Sequence, residues 1–258
     1  MMNREIQTTY TVQSVNKAFE LLEILSEDLQ STSLPFLAEE IGLSRNKTYR
    51  LLTTLCEKGL AERDEITGRY QLGSYSMALG QKFLKNSNFV TYAHPIMEDL
   101  VRKHDEAVYM TVIQDDKVLF VDMVDCTQQI KAAPLVGKSY PFFTNAAGKV
   151  MKALDSRDLL EKLFKTGGRR SIVPDLDRLE SELLEIRTTG VAVDSGGFGE
   201  GISSVAVAVR DYGGKIIGAI TMIGPSFRMI TERLENEIIP SLIQGADMLS
   251  TKFGYIPA

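Results

Sequence analysis

The chain has 258 residues, 44% of them hydrophobic and 24% charged, a composition ordinary for folded protein and a length that exceeds the usual single domain. A formal net charge of -5 excludes a generally basic chain, so contact with nucleic acid has to rest on local clustering. No apolar run approaches the ~18 residues of a membrane span, the start Met1 to Gln7 lacks a signal-peptide core, and Cys56 and Cys126 lie too far apart for ligand spacing, so reduced thiols and a cytoplasmic location are expected.

Val15, Ala18, Phe19, Leu22 and Leu25 recur at helical spacing and predict a first amphipathic helix whose main role is core packing. A second helix starts at Ser33, a capping residue, with Pro35 in the first turn and Leu34, Leu37, Ala38 and Ile41 on one face. Gly42 stops it. Ser44 then caps a third helix, whose inward stripe Thr48, Leu51, Leu52 and Leu55 runs on until Gly59. With Leu43 alone between stop and start, the two helices must cross steeply, as in a helix-turn-helix.

On the third helix, about 100° per residue places Asn46, Lys47, Arg50 and Thr53 opposite the buried stripe, with Arg45 and Tyr49 at its flanks. Ser44 to Arg50 holds three basic residues and no acidic one. Such side chains at the start of a recognition helix can read base edges in a major groove; a solvated helix face is the plainer alternative. Leu60 to Arg63 and Arg69 to Leu72 predict a hairpin with Arg69 beside its tip, as in a winged helix. Residues 1 to 80 carry eight Lys and Arg against eleven Asp and Glu, net -3, so one copy is expected to bind DNA weakly and two copies on one site are the remedy.

The domain boundary is expected between 73 and 91, with a linker helix from Ser74 to Leu84 and a polar hinge at Lys85 to Asn88. Beyond it, Ala93, Ile96, Met97, Leu100 and Val101 mark a helix, and Val108 to Ile113 with Val118 to Val121 a hairpin. A third strand is expected around Gln129 to Ala133. Helices at about Asp158 to Phe164 and Leu176 to Thr188 precede a strand at Val191 to Val193. Strands Ser203 to Arg210 and Lys215 to Ile223 turn at Tyr212-Gly213-Gly214, and a helix from about Thr231 to Lys252 closes an α+β domain.

Nothing in that domain spells out catalysis. His94 and His104 lie in no Cys/His array, the carboxylates at 115, 116, 122 and 125 suit turns and strand ends, and Gly196 to Gly201 leads into a strand without the Lys-Ser/Thr of a P-loop. Neither a metal nor a cofactor nor a catalytic residue is expected. Asn145-Ala146-Ala147-Gly148 opens a predicted helix, where free amides attract a carboxylate and small side chains admit a ligand to the backbone.

Ser14-Val15-Asn16-Lys17-Ala18, Leu37 to Ser44, Thr48 to Leu52 and Gly59-Leu60 resemble the IclR family of bacterial transcriptional regulators. Asn145 to Lys149, Gly190 to Asp194, Gly201 to Ala206, Val209-Arg210-Asp211 and Gly224-Pro225 continue the resemblance in family order. It implies a winged helix-turn-helix (10–73), a linker helix (74–90) and a GAF-like effector domain (91–258), working as a homodimer or a tetramer built as a dimer of dimers. The first helix would then also contribute to dimer contacts. DNA contact is expected from Ser44, Arg45, Asn46, Lys47, Thr48, Tyr49, Arg50 and Arg69, on a palindromic operator in double-stranded DNA.

By the same resemblance, Ala146 and Ala147 match amide donors to a small organic acid, Asp194 a polar pocket residue, Ser204 a position often held by cysteine and Thr221 one often held by serine. Buried hydroxyls bonded to neighbouring backbone are the alternative for the last two. Ile130, Ala132, Tyr140 and Ile202 are expected as the apolar wall. Ser195 to Phe198 replaces an acidic run common in the family, and Ile223 stands where some members have serine, so a more apolar, aromatic acid is expected. The residues leave open whether the effector releases or favours DNA. They also leave open a ligand sensor that uses the helix-turn-helix for protein interaction or dimerisation.

Overall fold

The computed structural model describes residues 11–27, 32–86, 88–114, 116–155 and 175–256, and the chain divides into two compact units, Met1–Asn86 and Ser87–Ala258. The expected helix at 158–164 lies outside the described residues.

The first unit runs α1 (Gln13–Ser26), α2 (Leu34–Glu40), α3 (Arg45–Glu57), β1 (Ala61–Arg63), β2 (Tyr70–Leu72) and α4 (Ser74–Asn86). Leu21 and Leu25 of α1, Leu37, Ile41, Leu52 and Leu55 close one core with Ala61 and Tyr70 of the hairpin. The chain turns from α2 to α3 because Gly42 takes the left-handed conformation at φ +67°, which lets the Leu43 amide donate back to the Ala38 carbonyl at 3.0 Å. Ser44 then caps α3, its hydroxyl accepting from the Lys47 amide at 3.5 Å. Ser33 occupies the same position before α2 but its hydroxyl accepts no capping bond, leaving Pro35 as the helix-starting signal there. In the hairpin, Ala61 pairs with Leu72 and Arg63 with Tyr70.

The second unit runs α5 (Asn88–His104), β3 (Ala107–Gln114), β4 (Lys117–Val124), β5 (Ser139–Pro141), α6 (Ala146–Asp155), α7 (Leu176–Thr189), β6 (Val191–Ser195), β7 (Ile202–Arg210) and β8 (Ile216–Pro225). Thr231–Arg233, a π turn at Leu234–Ile238 and α8 (Ile239–Lys252) follow without a break. The strands form one antiparallel sheet in the order β5-β4-β3-β8-β7-β6.

Strand alternation sends two kinds of side chain to its two faces. Val205, Val207, Val209, Met110 and Met222 pack against α5 and α8, whereas Ala107, Ala206, Ala208 and Ala219 form a flatter face under α6 and α7. Small side chains let the start of α6 come close to the strands.

Residues 129–133 form no strand, contrary to the pattern of the sequence. Gly137 and Lys138 exchange backbone bonds with Phe120 instead, and β5 continues along that edge. The stretch before them is held by side chains of other elements: Asp105 accepts from Thr127 and Gln128, and Asp125 from Lys131. Glu106, 1% exposed, fastens the end of α5 to the segment after β8 by a two-pronged pair with Arg228 at 2.6 and 2.8 Å and a bond from Arg233 at 3.0 Å.

Candidate DNA-reading surface and effector pocket

Arg45, Asn46, Lys47, Tyr49 and Arg50 all stand exposed along the first turns of α3, with the capping Ser44 at its start. Among the described residues none of these five has a side-chain hydrogen bond or ion pair to another side chain, so the face is open to a ligand. Thr48 is a correction. It is 0% exposed in the core, and its hydroxyl donates to the Ser44 carbonyl at 3.2 Å, so it cannot reach a base.

The hairpin tip is shaped by Asp64, whose Oδ1 accepts from the amides of Ile66 and Thr67 at 2.9 and 2.7 Å. Those bonds hold its carboxyl below the usual range, with a further small contribution from Arg69. Arg69 itself is exposed beside the tip, as the sequence pattern expected. A groove of about 880 Å³ runs along α3, bounded by Lys47, Arg50 and Thr54 and, on α1, by Gln13, Asn16 and Lys17. Asn16 and Lys17 are thereby candidates that helical periodicity did not single out, because the sequence places them on a helix whose apolar stripe reads as core.

In the second unit, the strand register assembles a polar line that sequence alignment of the strands could not show. Tyr109 pairs with Thr221, Thr221 with Ala206 and Ala206 with Ala192; one step along, Ala107 pairs with Ile223, Ile223 with Ser204 and Ser204 with Asp194. Paired residues share a face. Asp194, Ser204, Thr221 and Tyr109 therefore cross four strands diagonally on the face that α6 covers.

Ser204, Thr221 and Tyr109 are 1%, 0% and 0% exposed, and among the described residues none of their hydroxyls has a hydrogen-bond partner. Buried hydroxyls are nearly always bonded, so three together mark a place where a partner belongs. Burial, reinforced by the charge of Asp125, pushes the Tyr109 phenol up to about 12; the Leu135 amide nearby offsets part of this without completing a hydrogen bond.

Above this line, Ala146 and Ala147 occupy the first two positions of α6, whose amides no helical turn can satisfy. Asn145 caps the next, its Oδ1 accepting from the Gly148 amide at 3.0 Å. Phe120, Tyr140 and Phe198 meet edge to face in a closed triad, with centroids 5.2 to 6.0 Å apart, and Tyr109 packs on Phe120 at 5.4 Å. Phe198 comes from the glycine loop after β6. A Cβ on Gly197 would lie 1.8 Å from the Thr144 carbonyl oxygen, so only glycine lets this loop press on the start of α6.

Asp194 is anchored: Lys149 reaches one carboxylate oxygen at 2.6 Å and the Gly197 amide donates to the other at 3.0 Å. Burial pulls the Lys149 pKa down, but the bonds to Asp194 and Glu182 outweigh it and the net shift is upward. Asp194 therefore supports the loop more than it offers a free oxygen. Ala132, Tyr140 and Ile202 pack against this core face, whereas Ile130 does not. Ile130 is 65% exposed, in a loop whose backbone is tied to Arg228 through the Ile130 carbonyl at 3.0 Å. Tyr109, Phe120, Phe198 and Lys149 join the candidate site without having been singled out by sequence; only cross-strand register and loop packing bring them together. Among the described residues no three His, Cys, Asp or Glu gather as a metal site.

A helix-turn-helix with an exposed basic face, joined in one chain to an antiparallel sheet domain flanked by helices, defines a two-domain class of transcriptional regulator. Family models agree at both ends: the IclR helix-turn-helix domain matches residues 14–65, and the bacterial transcriptional regulator IclR C-terminal domain matches residues 81–251. The chain belongs to the IclR family, whose members are transcriptional regulators and not enzymes. It is similar to the transcriptional repressor IclR of Escherichia coli, at 27% identity over 95% of this chain and 92% of that one. Its fold matches the crystal structure of an IclR transcriptional regulator from Alicyclobacillus acidocaldarius, with TM-score 0.83 and 23% identity over 94% and 99% of the two chains. It also matches an IclR homolog from Microbacterium hydrocarbonoxydans complexed with 4-hydroxybenzoate, with TM-score 0.73 and 20% identity over 93% and 98%. No helix among the described residues is long and apolar enough to cross a membrane.

Proposed function

We propose that this regulator works in the cytoplasm, binds a palindromic operator through residues 10–73 as a homodimer or dimer of dimers, and is controlled by a small aromatic acid held in residues 91–258. Ser44, Arg45, Asn46, Lys47, Tyr49, Arg50 and Arg69 make the DNA contacts. Val12, Val15 and Phe19 of the α1 region, 62%, 49% and 61% exposed, supply an uncovered apolar face for the second copy.

The observation that carries the effector assignment is the set of unpartnered hydroxyls of Ser204, Thr221 and Tyr109 beneath an aromatic triad. The carboxylate docks at the Ala146 and Ala147 amides with Ser204 and Thr221, and the ring lies among Phe120, Tyr140 and Phe198. The aromatic acid in the M. hydrocarbonoxydans homolog supports this choice. Occupancy changes DNA affinity through residues 74–90, which requires the acid to bind two states of the chain unequally.

The test is a gel-retardation series on DNA fragments selected from a random pool by the wild type. Lys47→Ala with Arg50→Ala should abolish retardation while the protein still dimerises and still binds its acid. Undiminished retardation by the double variant would remove α3 as the reading element.

A further inference from the structure

The polar line ends at Tyr109, and the proposed acid leaves that end without an assigned role. Ser204 and Thr221 lie on the neighbouring strands β7 and β8, where they can serve a carboxylate at the α6 start; Tyr109 lies one strand further on, in β3. Two strand steps separate β7 from β3, roughly 10 Å at the usual spacing. A benzoate ring spans much of that distance.

The Tyr109 ring packs edge to face on Phe120 at 5.4 Å, and Asp125 and the Leu135 backbone, both beyond the end of β4 in sequence, lie near enough to act on its hydroxyl. Tyr109 is 0% exposed, and among the described residues its hydroxyl has no hydrogen-bond partner. A tyrosine kept there only to fill space would do better as phenylalanine, which has the same shape and no polar group to bury. The hydroxyl is useful only if something else arrives to bond it.

We infer that Tyr109 is a specificity-determining residue, which selects an aromatic acid carrying a hydrogen-bonding group across the ring from its carboxylate. This rests on the effector assignment above and deepens it. A ligand that lacks the distal group leaves the tyrosine unpaired in a fully buried position, and sites built to bond a hydroxyl discriminate against analogues without one. Ser204 and the α6 amides recognise both kinds of acid; Tyr109 tells them apart.

Calorimetric titration of the full-length protein with benzoate and with 4-hydroxybenzoate tests this. Wild type should bind 4-hydroxybenzoate about tenfold more tightly than benzoate, and in Tyr109→Phe the two affinities should converge. The unliganded variant should melt at the wild-type temperature or above, since it loses only an unsatisfied hydroxyl; a structural role would lower the melting temperature instead. If the preference survives in Tyr109→Phe, or is absent from wild type while Ser204→Ala abolishes binding of both acids, the pocket stands and the role of Tyr109 falls. If neither acid binds wild type, the aromatic-acid effector itself is refuted, and this inference with it.

Discussion

His104 shows how much a single buried group can do without touching a ligand. It is 4% exposed, and among the described residues neither ring nitrogen has a hydrogen-bond partner. Burial lowers its pKa, and Lys103 and Arg233 lower it further, against the weaker pull of Glu237 and Glu106. A histidine whose folded pKa lies below the ordinary 6.5 is neutral in the fold while the unfolded chain takes up a proton, so stability is present above pH 6.5 and is lost as the pH falls. Urea denaturation at pH 7.5 and 5.5 should therefore show a loss of stability on acidification that is smaller in His104→Gln. Equal losses in the two proteins would assign the acid sensitivity to other groups. Tyr109 behaves in the opposite sense: its raised pKa keeps it a neutral donor throughout the physiological range.

Elements are fastened by a few polar pairs laid over apolar packing. The joint between α5 and the segment after β8 depends on Glu106, which would be an isolated buried charge without Arg228 and Arg233. Arg228→Ala should cost about 2 kcal/mol or more, measured by urea denaturation, because it strands part of a desolvated carboxylate. A loss below about 0.5 kcal/mol would mean that Arg233 or water replaces the lost bonds fully. The start of α6 is a joint of another kind. Asn145 caps it, Gly197 closes on it, and Lys149 one turn along ties it to β6 through Asp194 and to α7 through Glu182. Such bracing fixes the Ala146 and Ala147 amides, the groups to which the proposed acid is assigned.

At the scale of the whole molecule, charge sets the mode of DNA binding. Residues 1 to 80 carry net -3, so the three cations of Ser44 to Arg50 work against the charge of their own domain. In the proposed two-copy mode the second contact would form at high effective concentration and offset this charge. Fluorescence anisotropy should find a single half-site bound at least about 100-fold more weakly than a palindrome of two half-sites. The log-log salt slope should shrink by about 1 for each phosphate-contacting cation removed per site. Equal affinity for half and whole sites would rule out binding as a dimer.

The sequence by itself determined the helices of the first unit, the α2–α3 turn, the wing and the antiparallel hairpins, because each is written in local periodicity, a capping residue or a turn glycine, and its ordered motifs carried the family. Gly42, Ser44 and the Leu37–Ile41 stripe predict their own geometry. What only the tertiary structure decided are the facts that depend on partners far away in the chain. A strand is expected at 129–133, but Asp105, Asp125 and Arg228 tie that region down as a loop, and Ile130 stands exposed outside the expected wall. Thr48 was legible both as a stripe residue and as a contact, and packing chose the stripe. Asp194, Ser204, Thr221 and Tyr109 come from four strands scattered over more than a hundred residues. Only cross-strand register aligns them, since a shift of one residue on any strand would send its side chain to the opposite face.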